Sequence, residues 1–384
     1  MTILPSQRHL FDIPDAVSYL NCAYMSPLSR RVATAGTDGL EAKRQPWRMF
    51  PPDFFRLTQE GRAAFASLLA SRATADDIAI VPAASYGMAV AAAAVSLKPG
   101  QRVLALADEF PSTILTWRDA AHRAGAEFVL LPRPANHDWA TVVCEAIDDR
   151  TAVAALPHVH WIDGAVVDLA RVRTSLNRVG AILALDLTQS LGTGPFDFDA
   201  VAPDFLVAAS YKWLMGPYSI GFLYVAPRWQ HSRPLEHHWF GRLGSENFSA
   251  LTTYPEDFQP GARRFDMGEP ANFALLPAAI AAIEQIKTWG VANIAETAGA
   301  LTDQIVTRAT EFGFTAVPNQ YRARHYLGLR APTPIPADLA DQLARAQVFI
   351  SIRGGDTLRI TPHVYNTQAD IDRLFDVLVP TLRP

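Results

Sequence analysis

The sequence predicts an α/β fold: a large domain with a mainly parallel sheet sandwiched by helices, followed by a smaller C-terminal α+β domain. Three observations carry this expectation. Short apolar runs alternate with helical patterns from about Thr58 to Val225, as in chains whose parallel strands are joined by helical crossovers. Glycines stand where those helices have to stop, at Gly100, Gly125 and Gly180. After about Asn272 the rhythm changes to two long helical patterns and then short strands around a turn.

Taken in order, the first 60 or so residues read as irregular, rich in proline and aromatic residues, with a short apolar entry at Val17–Tyr19. Gln59–Ala70 predicts a helix, Ile78–Val81 a strand and Tyr86–Leu97 an alanine-rich helix. Arg102–Ala107 predicts a strand, Ser112–Ala124 a helix, Glu127–Leu131 a strand and Trp139–Ile147 a helix. Thr151–Leu156 then reads as a strand and Asp168–Val179 as a helix. Ala181–Leu187, Phe205–Ala209 and Gly221–Val225 complete the strand set. Beyond Asn272 the helical patterns are Leu275–Trp289 and Val291–Phe312, followed by a strand at Tyr326–Arg330 and a helix at Ala337–Ala346. Phe349–Ile352 and Thr357–Ile360 flank Arg353-Gly354-Gly355-Asp356, which reads as a hairpin turn. Thr367 caps a last helix, Gln368–Leu378.

Composition narrows the function classes. Of 384 residues 49% are hydrophobic and 19% charged, enough apolar material for a large core and no signature of disorder. A net charge of −4 offers no basic excess to neutralise a phosphate backbone, so nucleic acid is not an expected partner. Two cysteines, Cys22 and Cys144, cannot build a disulfide framework or a four-thiolate metal site. The longest apolar run, around Met88–Val95, is far short of the ~20 residues that span a bilayer. Met1–Phe11 has no apolar h-region, and a cytoplasmic enzyme is the expectation.

Common catalytic motifs are missing: no GxxxxGK[ST], HExxH, CxxC or GxSxG occurs. Gly192-Thr193-Gly194 lacks a third glycine and runs into Pro195, so it is no dinucleotide fingerprint. His158 with His160, and His237 with His238, could contribute to a metal site, but no carboxylates stand near them at ligand spacing. The informative stretches are Ala184-Leu185-Asp186-Leu187-Thr188-Gln189-Ser190 and Ala209-Ser210-Tyr211-Lys212-Trp213-Leu214-Met215-Gly216-Pro217. Asp186 ends an apolar strand, where a carboxylate needs a cation or a donor. Lys212 follows another such strand; it either snorkels to solvent or is desolvated toward reactivity. Together, a strand-end Asp and a partly buried Lys are what a pyridoxal phosphate site requires, the amine binding the aldehyde and the acid keeping the ring nitrogen protonated.

On these residues the chain resembles the class V aminotransferase family of fold-type I pyridoxal-phosphate enzymes, which also holds cysteine desulfurases, kynureninases and isopenicillin N epimerases. The resemblance runs from Tyr19-Leu20-Asn21-Cys22-Ala23 to Tyr365-Asn366-Thr367. It implies residues 1–20 as a segment joining the small domain, 21–265 as the large cofactor-binding domain and 266–384 as the small domain. It implies Lys212 as the Schiff-base lysine, Asp186 at the pyridinium nitrogen, Gln189 at the ring hydroxyl and Tyr211 at the phosphate. Ala84 and Ser85, opening a helix, would add N–H groups and a hydroxyl to the phosphate site. Phe110 falls where the family stacks an aromatic residue or His on the ring, with core packing as its ordinary alternative. Arg359 matches the arginine that grips the substrate carboxylate, a surface strand arginine being the alternative. Tyr24 and His158 (or His160) are further candidates on the substrate side. Gly268-Glu269-Pro270-Ala271-Asn272 sits where family dimers send a loop to the neighbour's phosphate, which implies a homodimer, with Asn272 rather than Glu269 as the contact.

The loop before Arg359 is short and carries no Cys, which argues against a desulfurase. The remaining expectation is an aminotransferase acting on the α-carbon of an amino acid. A lyase working by β-elimination and an epimerase share its first step, and a catalytically silent binding module is the alternative of a different class.

Overall fold

The computed structural model describes residues 2–69 and 72–382. Thirteen strands are described: β1 (Ser18–Tyr19), β2 (Ile78–Val81), β3 (Arg102–Leu106), β4 (Glu127–Leu131), β5 (Thr151–Pro157), β6 (Ile182–Asp186) and β7 (Phe205–Ala209). They continue with β8 (Gly221–Val225), β9 (Thr315–Ala316), β10 (Leu327–Arg330), β11 (Val348–Phe349), β12 (Ser351–Arg353) and β13 (Thr357–Ile360). The helices are α1 (Arg30–Lys43), α2 (Pro51–Ala66), α3 (Ala84–Ala94), α4 (Pro111–Ala124), α5 (Trp139–Ala146) and α6 (Leu169–Val179). They continue with α7 (Phe198–Val201), α8 (Leu275–Trp289), α9 (Val291–Thr310), α10 (Leu339–Arg345) and α11 (Gln368–Leu382).

The large sheet has seven strands in the order β2-β8-β7-β6-β5-β3-β4. Four of its pairings are parallel, and only those of β8 with β2 and β7 are antiparallel. Because side chains alternate along a strand, β3 and β6 feed two separate cores. Leu104, Leu106, Leu183 and Leu185 enter one with α2, α6 and α8. Val103, Ile182 and Ala184 enter the other with Met88 of α3 and Trp117 of α4. Burial on both faces is why these strands read as continuous apolar runs.

A four-stranded antiparallel sheet, β12-β13-β10-β9, forms the second unit with α9, α10 and α11 around Leu327, Leu358, Ile371 and Phe375. Arg353 pairs with Thr357 across the Gly354-Gly355 turn, where both glycines take left-handed φ. The single apolar run at Phe349–Ile352 is divided between two partners. β11 pairs with β1, and β12 pairs with β13. Thr367 and Asp370 bind each other at the start of α11, the carboxylate taking the Thr367 N–H at 2.8 Å.

The N-terminal region departs from expectation. It holds two full helices, and the predicted helix over 59–70 is instead Pro51–Ala66, with Ala70 outside the described residues. Proline at N1 and Asp53, whose carboxylate takes the Phe50 N–H at 2.9 Å, open α2 eight residues earlier than its apolar periodicity suggests. α1 buries only Val32 among its apolar side chains, and it contacts α8 through its glycines. A Cβ on Gly39 would lie 1.7 Å from the Phe273 carbonyl oxygen. Alanine there would gain about 1 kcal/mol of helix propensity but force backbone apart, at about 1–3 kcal/mol or more. Gly39→Ala is therefore expected to lower the urea midpoint without changing the slope; an unchanged or higher midpoint would contradict this packing.

Candidate active site

The strand order turns back at β3, which has β4 on one side and β5 on the other. In open α/β sheets such a switch leaves a crevice beyond the carboxyl ends of the strands. Here the ends of β3, β5, β6 and β7 open on a cavity of about 300 Å³. Glu109 and Phe110 enter it after β3, Val159 and Trp161 after β5, Asp186 and Gln189 at the end of β6, and Tyr211 and Lys212 after β7. Ala84 and Ser85, at the start of α3, close the far wall. No side chain caps that helix, so its first N–H groups are left to the cavity.

Lys212 is 6% exposed. Its Nζ makes no hydrogen bond or ion pair among the described residues and lies 5.3 Å from the ring centroids of both Phe110 and Tyr211. Burial lowers its pKa to about 8; Asp186 opposes that shift, while Arg359 and Arg353 add to it. Asp186 is raised above the usual carboxylate range, again by burial, although Thr188 donates its N–H to Oδ1 at 2.8 Å. The Thr188 hydroxyl in turn accepts the Ala209 N–H at 3.1 Å, joining the ends of β6 and β7. The Gln189 amide is held at both ends, Nε2 donating to Ala23 O at 3.3 Å and Oε1 accepting from Trp213 Nε1 at 2.9 Å. The Tyr211 ring packs on Tyr218 with centroids 4.5 Å apart, and its carbonyl accepts the Ser26 N–H at 2.9 Å.

Asp108, Met215 and Ser219 take left-handed φ values of 59°, 56° and 63° around this cavity. Such conformations cost a non-glycine residue free energy and gather at functional sites. The turn at Asp108 helps decide which of three successive residues faces inward. Glu109, which sequence reasoning passed over in favour of its neighbour, is 7% exposed. It accepts the Phe110 N–H on Oε1 and leaves Oε2 buried without a partner. Burial, opposed by His160, pushes its pKa up to about 7. Trp161 was missed too: its indole N–H donates to Asp108 O at 2.7 Å and its ring meets Phe110 edge-on at 5.5 Å.

The other candidates lie at graded distance. Arg359, 2% exposed, is not a wall residue; it sits behind Trp161, with Nη1 to the Trp161 carbonyl at 3.3 Å and Nη2 to Ser351 Oγ at 3.1 Å. Tyr24 is exposed beside Tyr19 and Tyr211. Asn272 is away from this cavity within the chain and binds the Ala274 and Leu275 N–H groups at the head of α8. His158 is a correction. Strand alternation sends Pro157, Val159 and Trp161 to the cavity and His158 to the opposite face, against Phe196. His160 is likewise turned away, stacked on Trp139. Among the described residues no cluster of His, Cys, Asp and Glu could hold a metal ion, and no helix is long and apolar enough to cross a membrane.

Comparison with known proteins agrees with this geometry. The aminotransferase class-V family profile matches residues 52–374. An uncharacterized aminotransferase, YcbU, of Bacillus subtilis strain 168 is 26% identical over 98% of both chains. A kynureninase of Shouchella clausii strain KSM-K16 is 23% identical over 97% of this chain and 90% of its own. Among solved structures, a C-DES variant with glycine covalently linked to its PLP cofactor superposes with a TM-score of 0.84 at 19% identity, covering 98% of this chain and 99% of that one. The residues present suit pyridoxal phosphate: an amine and a carboxylate that have no ion-pair partner among the described residues, and an uncapped helix start on one cavity wall. From the extent of that match, the chain belongs to the class V aminotransferase family and its cofactor is pyridoxal phosphate.

Proposed function

We propose that this protein is an aminotransferase that acts on the α-carbon of an amino acid. The observation that carries the proposal is the Lys212 amine, buried and unpaired in the same cavity as Asp186. Bound pyridoxal phosphate supplies an aldehyde for an amine to join and a ring that accepts electrons from the α-carbon. Lys212 Nζ, with a pKa near 8, is a base suited to take the Cα proton and return it near neutral pH. Asp186, destabilised as a buried carboxylate, would regain its ionised state opposite a cationic ring nitrogen. Ser85 and the N–H groups of α3 would hold the phosphate with Tyr211, and Gln189 keeps an N–H that the ring hydroxyl would take. Phe110 would pack on the ring, and Arg359 would grip the substrate α-carboxylate by exchanging the Trp161 carbonyl and Ser351 hydroxyl for it. Tyr24, exposed beside Tyr211, would meet the substrate. The proposal includes a homodimer in which residues 268–272, with Asn272, approach the partner's phosphate.

A second reading, a lyase, draws support from the kynureninase relative. Persulfide chemistry has less support: Cys22 is fully buried and its thiol is pushed far up by that burial, so no thiolate is at hand. Purified protein mixed with pyridoxal phosphate and a panel of amino acids tests these readings. A keto acid product supports the aminotransferase, an eliminated fragment the lyase and an inverted isomer an epimerase; a protein that stays colourless with added cofactor sinks them all in favour of a silent module.

The amine must be neutral to attack an aldehyde. Capture of the cofactor by the apoprotein should therefore quicken as pH rises and level off above about 8. A plateau reached only near the ordinary lysine value would contradict the burial of Lys212. Stopped-flow absorbance reads this directly.

A further inference from the structure

Two arginines share one face of the small sheet. Ser351 pairs with Arg359 and Arg353 with Thr357, so Arg353 lies two residues beyond the partner of Arg359 and on the same side. Diagonal neighbours of this kind are about 7–8 Å apart. Neither guanidinium has a carboxylate partner among the described residues. Both groups of Arg359 that donate do so to neutral oxygens. Arg353 reaches only the Ile352 carbonyl, at 3.5 Å, and lies over the Trp161 ring, 5.4 Å from its centroid. The Nε of each is buried without a hydrogen bond. Trp161 thus links the two, its carbonyl bound to one arginine and its ring beneath the other, while it also walls the Lys212 cavity.

Like charges so placed destabilise each other, and Arg353 is held below the usual arginine range by burial and by Arg359. The surroundings offer no relief. Arg353 borders a second cavity of about 450 Å³, lined by Asp108 and Ile162, the chain neighbours of Glu109 and Trp161 in the first cavity's wall, and the carboxylates there are already engaged. Asp163 and Asp108 pair with Arg133, and Asp356 pairs with Arg330. A buried Arg359 and a half-buried Arg353, each with an Nε that meets no acceptor among the described residues, call for an anion. One carboxylate satisfies one planar fork, and the two forks meet different parts of Trp161, Arg359 its carbonyl and Arg353 its ring, so each is left to a carboxylate of its own.

We propose that Arg353 binds the side-chain carboxylate of a short amino dicarboxylic acid whose α-carboxylate is held by Arg359. The inference rests on the amino-acid reading above and narrows its substrate class.

The test uses the full chain without cofactor and reads ligand-induced shifts in melting temperature. Succinate is expected to stabilise the wild type at concentrations where propionate and succinamate, its mono-amide, do little. In Arg353→Gln the apparent dissociation constant for succinate should rise about ten- to a hundredfold, leaving it similar to that of succinamate. The unliganded variant should melt no lower than the wild type, because a like-charged neighbour of Arg359 has gone. In the loaded enzyme, aspartate should perturb the cofactor spectrum at lower concentration than asparagine, and the variant should lose that preference. Equal affinity of the wild type for succinate and succinamate would overturn the proposal without any variant. So would a variant that keeps the discrimination, or one that loses propionate as fully as succinate. Failure of the protein to take up pyridoxal phosphate would remove the proposed activity but leave the succinate result to decide the role of Arg353.

Discussion

Lys212→Ala is expected to purify without the yellow colour of a protein-bound Schiff base, even with excess pyridoxal phosphate, and to turn over at least about a thousandfold more slowly. The argument starts from the cavity. An amine 6% exposed, with no acceptor in reach among the described residues, has been taken from water at a cost that the fold does not recover from hydrogen bonds. Alanine removes that cost together with the nucleophile and base. The variant should therefore be at least as stable as the wild-type apoprotein while being inert. The linkage has a definite sign. The folded pKa lies near 8 and the ordinary lysine value at 10.5, so between these values the unfolded chain binds more protons and wild-type stability rises with pH. The stability gap between variant and wild type should accordingly narrow through that window. Urea melts at several pH values and an absorption spectrum check both halves. A coloured, active Lys212→Ala protein would end the proposed role of this residue.

Arg62→Met is expected to produce the largest loss of stability among single changes away from the cavity, about 3–5 kcal/mol. Arg62 on α2 and Asp266 are each 1% exposed and form an ion pair. Asp266 also accepts the Ile80 N–H on Oδ1 at 2.7 Å, and the next residue, Met267, donates its N–H to Ile80 O at 2.9 Å. The pair therefore fastens both α2 and the 261–267 segment to β2, at the edge of the large sheet. Burial raises Asp266 and lowers Arg62, each away from its charged form, and their mutual attraction works against both shifts. Without the arginine, the acid is pushed further up and the folded variant holds a proton that its unfolded chain has released. Its stability should then fall as pH rises from acid toward neutral. Asp266→Asn in the same chain keeps an acceptor for Ile80 and removes the orphaned charge, so the double variant should recover part of the loss. A double-mutant cycle by denaturant unfolding measures this; a single variant as stable as the wild type would refute the coupling.

The sheet-forming strands were legible because they are buried on both faces. Ile182–Asp186 and Phe205–Ala209 show this as unbroken apolar runs. The same runs pointed to their ends, where Asp186 and Lys212 break the pattern. Helix α1 was illegible for the opposite reason. It presents glycines to α8, and close backbone approach leaves no apolar periodicity to read. His158 misled because an aromatic base near a site says nothing of direction, whereas the register of β5 does. Glu109 was hidden behind Phe110, since the inward residue follows from the left-handed turn at Asp108, a backbone choice invisible in residue types.

By itself, then, the amino-acid order determined the layered α/β class, the lysine and carboxylate at two strand ends, and the hairpin bearing Arg353, because hydrophobic period and charge at a strand terminus are local properties. The tertiary structure alone decided which strand ends meet across the switch point, which side chains turn inward and that two arginines lie on one face without a counter-charge. Those outcomes depend on register and strand order, which arise from contacts between segments more than a hundred residues apart, as between β2 and β8 and between β1 and β11.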